Sequence, residues 1–435
     1  VYIAPEVLGH RWVRSRSTAY IVERPERLRA SLLGLSALIG KSFEHLSHPE
    51  SIAEDQKVDA LTDSIASVSI AQSFGKSTNS IQALISRSKV SLANPNKGLL
   101  SVHGCEEGSV TLDEIGDEPA YSIESGRGVL SEVDLLRQGS QGAIEASLGA
   151  CCMALDRIVQ HSHLHLSKSS VNRSTPSSIG RRAFVLARPP GHHCSSKNPS
   201  GFCWVNNVAV VAAEAYAKHG IDRIAILDFD LHHGDGTQSI VWRINEETSR
   251  LDADREARKN RWSTLLGRRG LKMFYGSLHD IESFPCEDGN KQKVSDASIR
   301  LEGGHGQWIW NIHLDCHANR DEFLSAYEKK YKDLIKKAQE FFENTQSTSQ
   351  SSMVIISAGF DACVHETPGM QRHGKNVPTE FYTIFTRDSV RLAENFCDGK
   401  LMSVLEGGYS DRALTTGVIS HLAGMTDDLK EGMED

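Results

Sequence analysis

Residues 226–237 read Ile-Leu-Asp-Phe-Asp-Leu-His-His-Gly-Asp-Gly-Thr and join an apolar run to a dense group of acids and histidines. The run at 224–227 predicts a buried strand. Side chains two positions apart in a strand point to the same face, so Asp228, Asp230 and His232 should project together. Charged groups at the end of a buried strand are costly unless they are paired or bind a metal. The stretch therefore predicts an α/β fold with a metal site at a strand end.

The composition limits the classes of protein to consider. The chain has 435 residues, 39% of them hydrophobic, which suits a globular protein with a sizeable core. The net charge of −8 argues against direct nucleic-acid binding and is compatible with basic peptide substrates. The nine cysteines form no CxxC pair, and no apolar run approaches the ~18 residues of a membrane span. We expect a protein that is neither secreted nor embedded in a membrane.

Strand and helix patterns alternate over about 250 residues, which predicts one domain with a mostly parallel sheet flanked by helices. The chain is interpreted as a single catalytic domain over 1–425, with an acidic tail at 426–435 and polar surface insertions near 64–92, 161–182 and 246–270. The predicted strands are 183–187, the run that starts at 224 and continues through Asp228, Asp230 and His232, 272–275, 308–312, 353–357 and 401–405. The predicted helices follow Glu23 and cover 141–160, 207–219, 321–342 and 379–395.

Four segments place polar residues after predicted strands, namely 188–194, 228–237, 357–361 and 405–409. Because the carboxyl ends of parallel strands share one edge of a sheet, these residues should converge. Asp361 then becomes the third ligand of a set with Asp230 and His232. Two oxygens, one nitrogen and an open position suit catalytic Zn²⁺, although Fe²⁺ and Co²⁺ also fit such a set.

Adjacent histidines, His192 and His193, are the candidate acid–base groups. Asp228 and Asp235 are available to orient them, since a carboxylate on the far ring nitrogen fixes the tautomer and raises basicity. A glycine-led turn at 406–409 would present the Tyr409 hydroxyl near the metal.

Together these motifs resemble the zinc-dependent histone deacetylase family of the arginase–deacetylase fold, on its class II side and with features of a fungal branch. The similarity spans roughly residues 180–410, with weaker support from Glu23 to Leu28. The matching motifs are Arg188-Pro189-Pro190-Gly191-His192-His193, Gly201-Phe202-Cys203 with Asn206-Asn207, Asp228 to Thr237, Ser277-Leu278-His279, Ser357 to Asp361 and Leu405 to Tyr409.

The resemblance implies specific roles for these residues. It makes Asp230, His232 and Asp361 zinc ligands. It makes His193, paired with Asp235, the general base and then acid. The remaining implied assignments are an electrostatic role for His192 with Asp228, oxyanion stabilisation by Tyr409, a substrate channel formed by Gly201, Phe202 and Phe284, and a structural potassium ion near Asp228 and Ser277.

The resemblance also implies partners and a cellular setting. The substrate would be acetylated lysine of histones or other proteins, in the nucleus or the cytoplasm, with a role in chromatin and transcription regulation. A homo-oligomer or a corepressor complex is compatible with such a role. The sequence does not identify the physiological substrate or the oligomeric state.

One departure from the family concerns the rim of the pocket. Class II relatives usually carry Asp-Pro-Leu-Gly after the third ligand, whereas this chain has Glu366-Thr367-Pro368-Gly369. The preference for the acyl group and for inhibitors is therefore open. The family's rim aspartate, which binds the substrate backbone, has only Glu124 and Asp134 as candidates here.

Other functions remain in competition. An acetylpolyamine amidohydrolase would share the fold and the ligand set. A manganese arginase-like enzyme is disfavoured because no ligands for a second metal are evident. A catalytically silent scaffold that binds acetyl-lysine or partner proteins is disfavoured by the complete ligand set and by Tyr409.

Overall fold

Among the residues that the structure describes, nine strands form one central sheet. The computed structural model describes residues 1–10, 22–47, 69–70, 140–167, 180–196, 198–259 and 269–426. The strands are β1 (Tyr2–Ile3), β2 (Ser69–Ile70), β3 (Arg182–Val185), β4 (Arg223–Asp228), β5 (Lys272–His279), β6 (Arg300–Glu302), β7 (Trp308–His313), β8 (Ser352–Ala358) and β9 (Leu401–Leu405). Their order in the sheet is β2-β1-β3-β9-β8-β4-β5-β7-β6. Neighbouring strands pair in parallel except β6 with β7. The prediction of a mostly parallel sheet is confirmed.

Helices pack against both faces of this sheet, as crossovers between parallel strands require. They are α1 (Glu26–Ser47), α2 (Ser140–Ser167), α3 (Asn207–His219), α4 (Asp235–Lys259), α5 (Lys291–Asp296), α6 (Arg320–Ala326), α7 (Asp333–Asn344), α8 (Thr379–Phe396) and α9 (Asp411–Met425). Among the described residues, no helix has the length and apolar character that crossing a bilayer requires.

Local signals explain why some bounds were predicted correctly. Helix α3 covers the predicted 207–219 because Asn206 caps its start, accepting the N–H of Ala209, and Gly220 ends it with φ of 76°. Strand β9 likewise matches its predicted bounds. Strand β4, with all six residues buried, lies between β8 and β5. Its last residue, Asp228, is level with Ser357 on one side and Ser277 on the other.

Two predicted helical regions differ from the structure. Helix α2 continues to Ser167, so the predicted polar insertion at 161–182 begins inside a helix. The predicted single helix over 321–342 is interrupted by a π-helical turn, Tyr327–Tyr331, which buries both of its tyrosines. Sequence periodicity does not reveal such a widened turn.

Several predicted features lie wholly or partly outside the described residues. They are the insertion near 64–92 apart from β2, residues 168–179, residues 260–268, the tail beyond 426, and the rim candidates Glu124 and Asp134. The first part of the 246–270 region is helical, because α4 runs to Lys259. The single-domain boundary at 1–425 stays a prediction.

Candidate metal centre and active site

Asp230, His232 and Asp361 converge at the carboxyl end of the sheet. Each offers one ligand atom, and these atoms lie within 4.8 Å of one another. His232 Nδ1 is 3.0 Å from Asp230 Oδ1 and 2.9 Å from Asp361 Oδ2. Both carboxylates are fully buried. The structure therefore brings the three residues of the predicted ligand set together.

The predicted reason for this convergence is wrong in one respect. Strand β4 ends at Asp228, so strand alternation does not carry the chain to His232. Instead, Asp228 Oδ1 accepts the N–H of Asp230 at 3.0 Å, and Asp230 Oδ1 accepts the N–H of His232 at 2.9 Å. Two successive aspartate-led bends of this kind turn the backbone around the site.

Glycines make room for the carboxylates. A Cβ at Gly359 would lie 2.0 Å from Asp230 Oδ2, and one at Gly407 would lie 2.2 Å from Asp361 Oδ2. The N–H of Gly407 also donates to Asp230 Oδ2 at 2.7 Å, and the N–H of Leu231 donates to Asp361 Oδ1 at 2.8 Å. Both carboxylates are thus fixed by backbone that tolerates no larger residue at these two glycines.

The electrostatics of this group fit a bound cation. Burial and the neighbouring Asp230 raise the pKa of the Asp361 carboxyl to about 6. Burial would lower the pKa of His232, but Asp361 and Asp230 raise it to about 10. Even when His232 carries a proton, the two buried carboxylates exceed it by one negative charge, which is costly unless a further cation lies among them. A divalent metal meets this need with the oxygen and nitrogen donors that zinc accepts.

His192 and His193 follow β3 and face two different carboxylates. His192 Nδ1 lies 3.1 Å from Asp228 Oδ2, and His193 Nδ1 lies 2.8 Å from Asp235 Oδ1. The ring centres are 4.1 Å apart. A carboxylate at Nδ1 favours the tautomer with its proton on Nδ1, which leaves Nε2 of His193 as a proton acceptor.

The two histidines have opposite pKa shifts. Burial, together with the charge of His192, lowers the pKa of His193 to about 4. Burial also acts against charge on His192, but Asp230 and Asp228 outweigh it and raise the pKa of His192 well above its usual value. Near neutral pH, His192 is therefore the cationic member of the pair and His193 is the neutral one.

A pocket leads from the protein surface to these groups. Phe284 packs edge-on against His193 with ring centres 4.8 Å apart, and Phe202 lies 5.9 Å from the Tyr409 ring. Gly201 has φ of 52°, and a Cβ there would lie 2.5 Å from the His193 ring. The pocket is lined by His193, Gly201, Phe202, His232, Phe284, Glu287, Met370, Arg372 and Tyr409. All three predicted channel residues line it.

Buried Glu406 is a residue of the site to which the sequence analysis gave no role. Its Oε2 accepts the N–H groups of Gly191 and His192, at 2.7 and 3.1 Å. Burial raises the pKa of Glu406 to about 7. The carboxylate ties the loop that carries the two histidines (188–193, the histidine loop) to the loop that carries Tyr409 (406–409, the tyrosine loop). The sequence shows the motif at 406–409 that contains Glu406. It does not show the residues that this carboxylate binds, because Gly191 and His192 lie about 215 positions away.

Arg27 on α1 holds the tyrosine loop from behind. Its Nε donates to the carbonyl of Gly408 at 2.5 Å, and its other guanidinium nitrogens reach Glu23 and the Glu406 carbonyl. The guanidinium carbon lies 5.0 Å from the centre of the Tyr409 ring. The sequence signals only the Glu23–Arg27 pair, through its spacing of four residues.

Glu23 also binds Arg188, which opens the His192-His193 motif. Two hydrogen bonds of 2.6 and 2.9 Å join the Arg188 guanidinium to the Glu23 carboxylate. The side chains of Glu23, Arg27 and Arg188 are fully buried. One carboxylate thereby links the supports of the histidine loop and the tyrosine loop.

The sequence comparison with class II relatives predicts that Glu366-Thr367-Pro368-Gly369 lies at the rim of the pocket. The first residue of this segment does not. Glu366 does not line the pocket but is buried behind Tyr409, whereas Met370 and Arg372 lie at the mouth. Arg372 there donates to Glu287 at 3.0 Å.

A second acidic group, Asp280 and Glu282 with His373, also has ligand atoms close together. The ammonium of Lys375 lies 3.3 Å from Asp280 Oδ1 and 3.4 Å from Glu282 Oε2. A cation of the protein itself therefore pairs with both carboxylates of this group. The pairs join the two loops that form the mouth of the pocket.

Comparison with known proteins agrees with this geometry. The histone deacetylase domain model matches residues 100–425. The chain is 35% identical to the histone deacetylase HOS3 of Saccharomyces cerevisiae, over 98% of this chain and 55% of that protein. It is 28% identical to a histone deacetylase-like amidohydrolase of Pseudomonas aeruginosa, over 58% of this chain and 55% of that protein. The chain thus spans about half the length of these two relatives.

The fold has a counterpart among solved structures. The crystal structure of the HDA15 HD domain superposes with a TM-score of 0.54 at 19% identity, covering 98% of this chain and 87% of that one. This likeness supports the predicted arginase–deacetylase architecture. Since the domain model matches most of the sequence, the chain belongs to the histone deacetylase family.

Proposed function

We propose that the protein hydrolyses the acetyl amide of N6-acetyl-lysine in proteins with the help of a bound zinc ion. The observation that carries this proposal is the arrangement at the base of one pocket. Three metal-type donors, a neutral histidine paired with a carboxylate, and a tyrosine converge there. Family membership supports the same activity.

Asp230, His232 and Asp361 would hold the metal. When bound, zinc lowers the pKa of a coordinated water towards ~7 and polarises a carbonyl oxygen. The chain's own contribution is to keep the two buried carboxylates and the imidazole in place through the backbone of Leu231 and Gly407.

His193 is positioned to move the proton. As water adds to the acetyl carbonyl carbon, Nε2 of His193 takes the proton while Asp235 stabilises the resulting imidazolium. The same proton then passes to the lysine nitrogen as the amide C–N bond breaks, and the second proton of the water follows it, giving acetate and the lysine ammonium. His192, held by Asp228, lies with its ring centre 4.1 Å from that of His193 and is its electrostatic partner.

Tyr409 is the candidate donor to the oxygen that becomes negative in the tetrahedral intermediate. A donor at that position typically contributes ~3–4 kcal/mol. The absence of a side chain at Gly201 leaves room for the His193 ring and for Phe284. Phe202 and Phe284 provide flat walls that suit an unbranched acyl-lysine stem.

Other assignments that follow from family membership are part of the proposal. A structural potassium ion would lie near Asp228 and Ser277, which are paired on adjacent strands. Histones or other acetylated proteins would be the substrates, in the nucleus or the cytoplasm. One relative is described as a histone deacetylase-like amidohydrolase. Since the same residues could hydrolyse other acetyl amides, acetylpolyamine is a second candidate substrate.

Hydrolysis of a fluorogenic acetyl-lysine peptide by zinc-loaded protein tests the proposal. We expect Tyr409→Phe to lower kcat about 10²–10³-fold and His193→Ala to reduce it at least as much. Tyr216→Phe, which removes a phenol that donates to the carbonyl of Arg269, serves as the matched control. Acetylspermidine is assayed in parallel. No turnover of either substrate by the wild type, with zinc bound stoichiometrically, would favour a binding-only role.

A further inference from the structure

Helix α9 begins at Asp411, two residues after Tyr409, and its cap is completed from outside the helix. Ser410 is the N-cap, and its Oγ accepts the N–H of Ala413 at 2.9 Å. In a capping box, the third helical residue is an acid that reaches back to the N-cap N–H. Ala413 occupies that position and has no acceptor. Glu366 supplies the missing acceptor from the preceding loop, taking the Ser410 N–H at 3.0 Å.

The same carboxylate oxygen reaches the catalytic candidate. Glu366 Oε2 accepts the N–H of Tyr409 at 2.7 Å, and Oε1 accepts the N–H of Thr367 at 2.8 Å. Glu366 is 7% exposed, and no ion pair to it is found among the described residues. Three backbone N–H groups therefore satisfy a carboxylate that would otherwise be costly to bury.

The two peptide units that flank the Tyr409 Cα are held at both ends. In the first unit, Arg27 binds the Gly408 carbonyl at 2.5 Å and Glu366 binds the Tyr409 N–H. In the second unit, Arg24 approaches the Tyr409 carbonyl at 3.4 Å and Glu366 binds the Ser410 N–H. Fixing both units fixes φ and ψ of the tyrosine, and so the direction in which its side chain leaves the backbone.

We propose that Glu366 is a positioning residue for Tyr409, which sets the phenol where the acyl oxygen of the substrate will lie. The inference rests on the proposed amide hydrolysis and assigns a catalytic consequence to a residue outside the pocket. A misplacement of about 1 Å can cost about 10²-fold in rate. The effect belongs in kcat, because Glu366 does not touch the channel that grips the substrate.

Kinetics of Glu366→Ala and Glu366→Gln on the acetyl-lysine peptide test this inference. We expect Glu366→Ala to lower kcat about 10- to 100-fold with KM within about twofold. Glu366→Gln retains an acceptor oxygen at Oε2 and should fall between Ala and the wild type. This second variant also keeps the test open should the alanine variant not fold.

A double mutant separates positioning from a general loss of stability. If Glu366 acts through the phenol, Glu366→Ala should add little to the loss already caused by Tyr409→Phe. Asn319→Ala is the matched stability control, since it removes a helix cap (to the Glu322 N–H) on α6. We expect it to lower the unfolding temperature without a comparable loss of kcat.

Each outcome has one meaning. An active wild type with Glu366→Ala within about threefold of its kcat overturns the inference alone, as does a double mutant whose losses multiply. A wild type that turns over no acylated substrate overturns the proposed function, and the inference with it. A kcat loss that disappears in the Tyr409→Phe background supports the inference.

Discussion

Replacing Glu23 by Gln is the perturbation whose effect follows most directly from the structure. The carboxylate accepts two hydrogen bonds from Arg188, at 2.6 and 2.9 Å, and one from Arg27 at 3.1 Å. All three side chains are inaccessible to solvent. Gln retains one acceptor oxygen but carries no charge. Among these three side chains, the buried guanidinium groups of Arg27 and Arg188 would then have no negative partner.

The magnitude comes from the penalty for an unpaired buried charge. Removing one partner of a buried pair typically costs about 3–5 kcal/mol. Because Gln keeps part of the hydrogen bonding, we expect a loss of about 3 kcal/mol in the free energy of unfolding. Domains are stable by about 5–15 kcal/mol, so the variant should fold but unfold at a markedly lower denaturant concentration.

The pH dependence gives an independent signature. Burial would raise the pKa of Glu23, but Arg188 lowers it from 4.5 to about 2. A carboxyl with a lowered folded-state pKa contributes stability that is present above the unfolded pKa and is lost as the pH falls through the folded pKa. Wild-type stability should therefore decline between pH 4.5 and about 2. In Glu23→Gln this part of the decline should be missing.

Urea unfolding at pH 7 and at pH 3 measures both effects, since pH 3 lies within the window in which the Glu23 contribution is lost. Asp411→Asn is the matched control, since it removes the carboxylate from the Arg24–Asp411 pair, whose side chains are 35% and 65% exposed. A pair so exposed is worth at most about 1 kcal/mol. Equal losses in Glu23→Gln and Asp411→Asn would refute the reasoning, because burial would then have no effect on the outcome.

Four further results are expected. Gly407→Ala should abolish zinc binding in calorimetric titration, because the added methyl would lie 2.2 Å from Asp361 Oδ2; unchanged affinity would contradict this. Asp235→Asn should lower kcat by at least about 10²-fold at unchanged zinc content, since His193 loses the acceptor 2.8 Å away that fixes its tautomer. Chelation of the metal should lower the unfolding temperature, and added zinc should restore it, because the cation relieves two buried carboxylates. Burial lowers the pKa of His10 from 6.5 to about 4, so the unfolded state binds more protons than the folded state between these pH values. The free energy of unfolding should therefore fall as the pH drops through that window, and His10→Gln should flatten the fall in denaturant titrations.

Local signals in the sequence determined much of the fold. Helix α3 is bounded by Asn206 and Gly220, residues that act within a few positions of themselves, and its bounds were predicted correctly. The convergence of Asp361 with Asp230 followed from one rule, that parallel strands end at a shared edge. Such inferences need only the order of elements along the chain.

Features that depend on distant contacts were not predictable in the same way. The sequence of α2 shows no stop signal near residue 160, yet the polar composition of 161–167 was interpreted as a loop. Strand alternation predicts that Asp228 and His232 lie on one face of an extended strand. In the structure, the carboxylates of Asp228 and Asp230 accept backbone N–H groups and bend that segment. Glu366 and Glu406 act by accepting backbone N–H groups of residues that lie far away along the chain. The sequence around each glutamate does not identify these partners.

The placement of Tyr409 shows why stability and catalysis should be difficult to separate in this protein. Its backbone is held by Arg27 from α1 and by Glu366 from the loop after β8. Arg27 depends on Glu23, which also holds Arg188 beneath the histidine loop. A change in this buried network therefore moves the tyrosine and the histidines together. Destabilising substitutions at these positions should lower kcat before the protein unfolds, whereas equally destabilising substitutions at the surface should not.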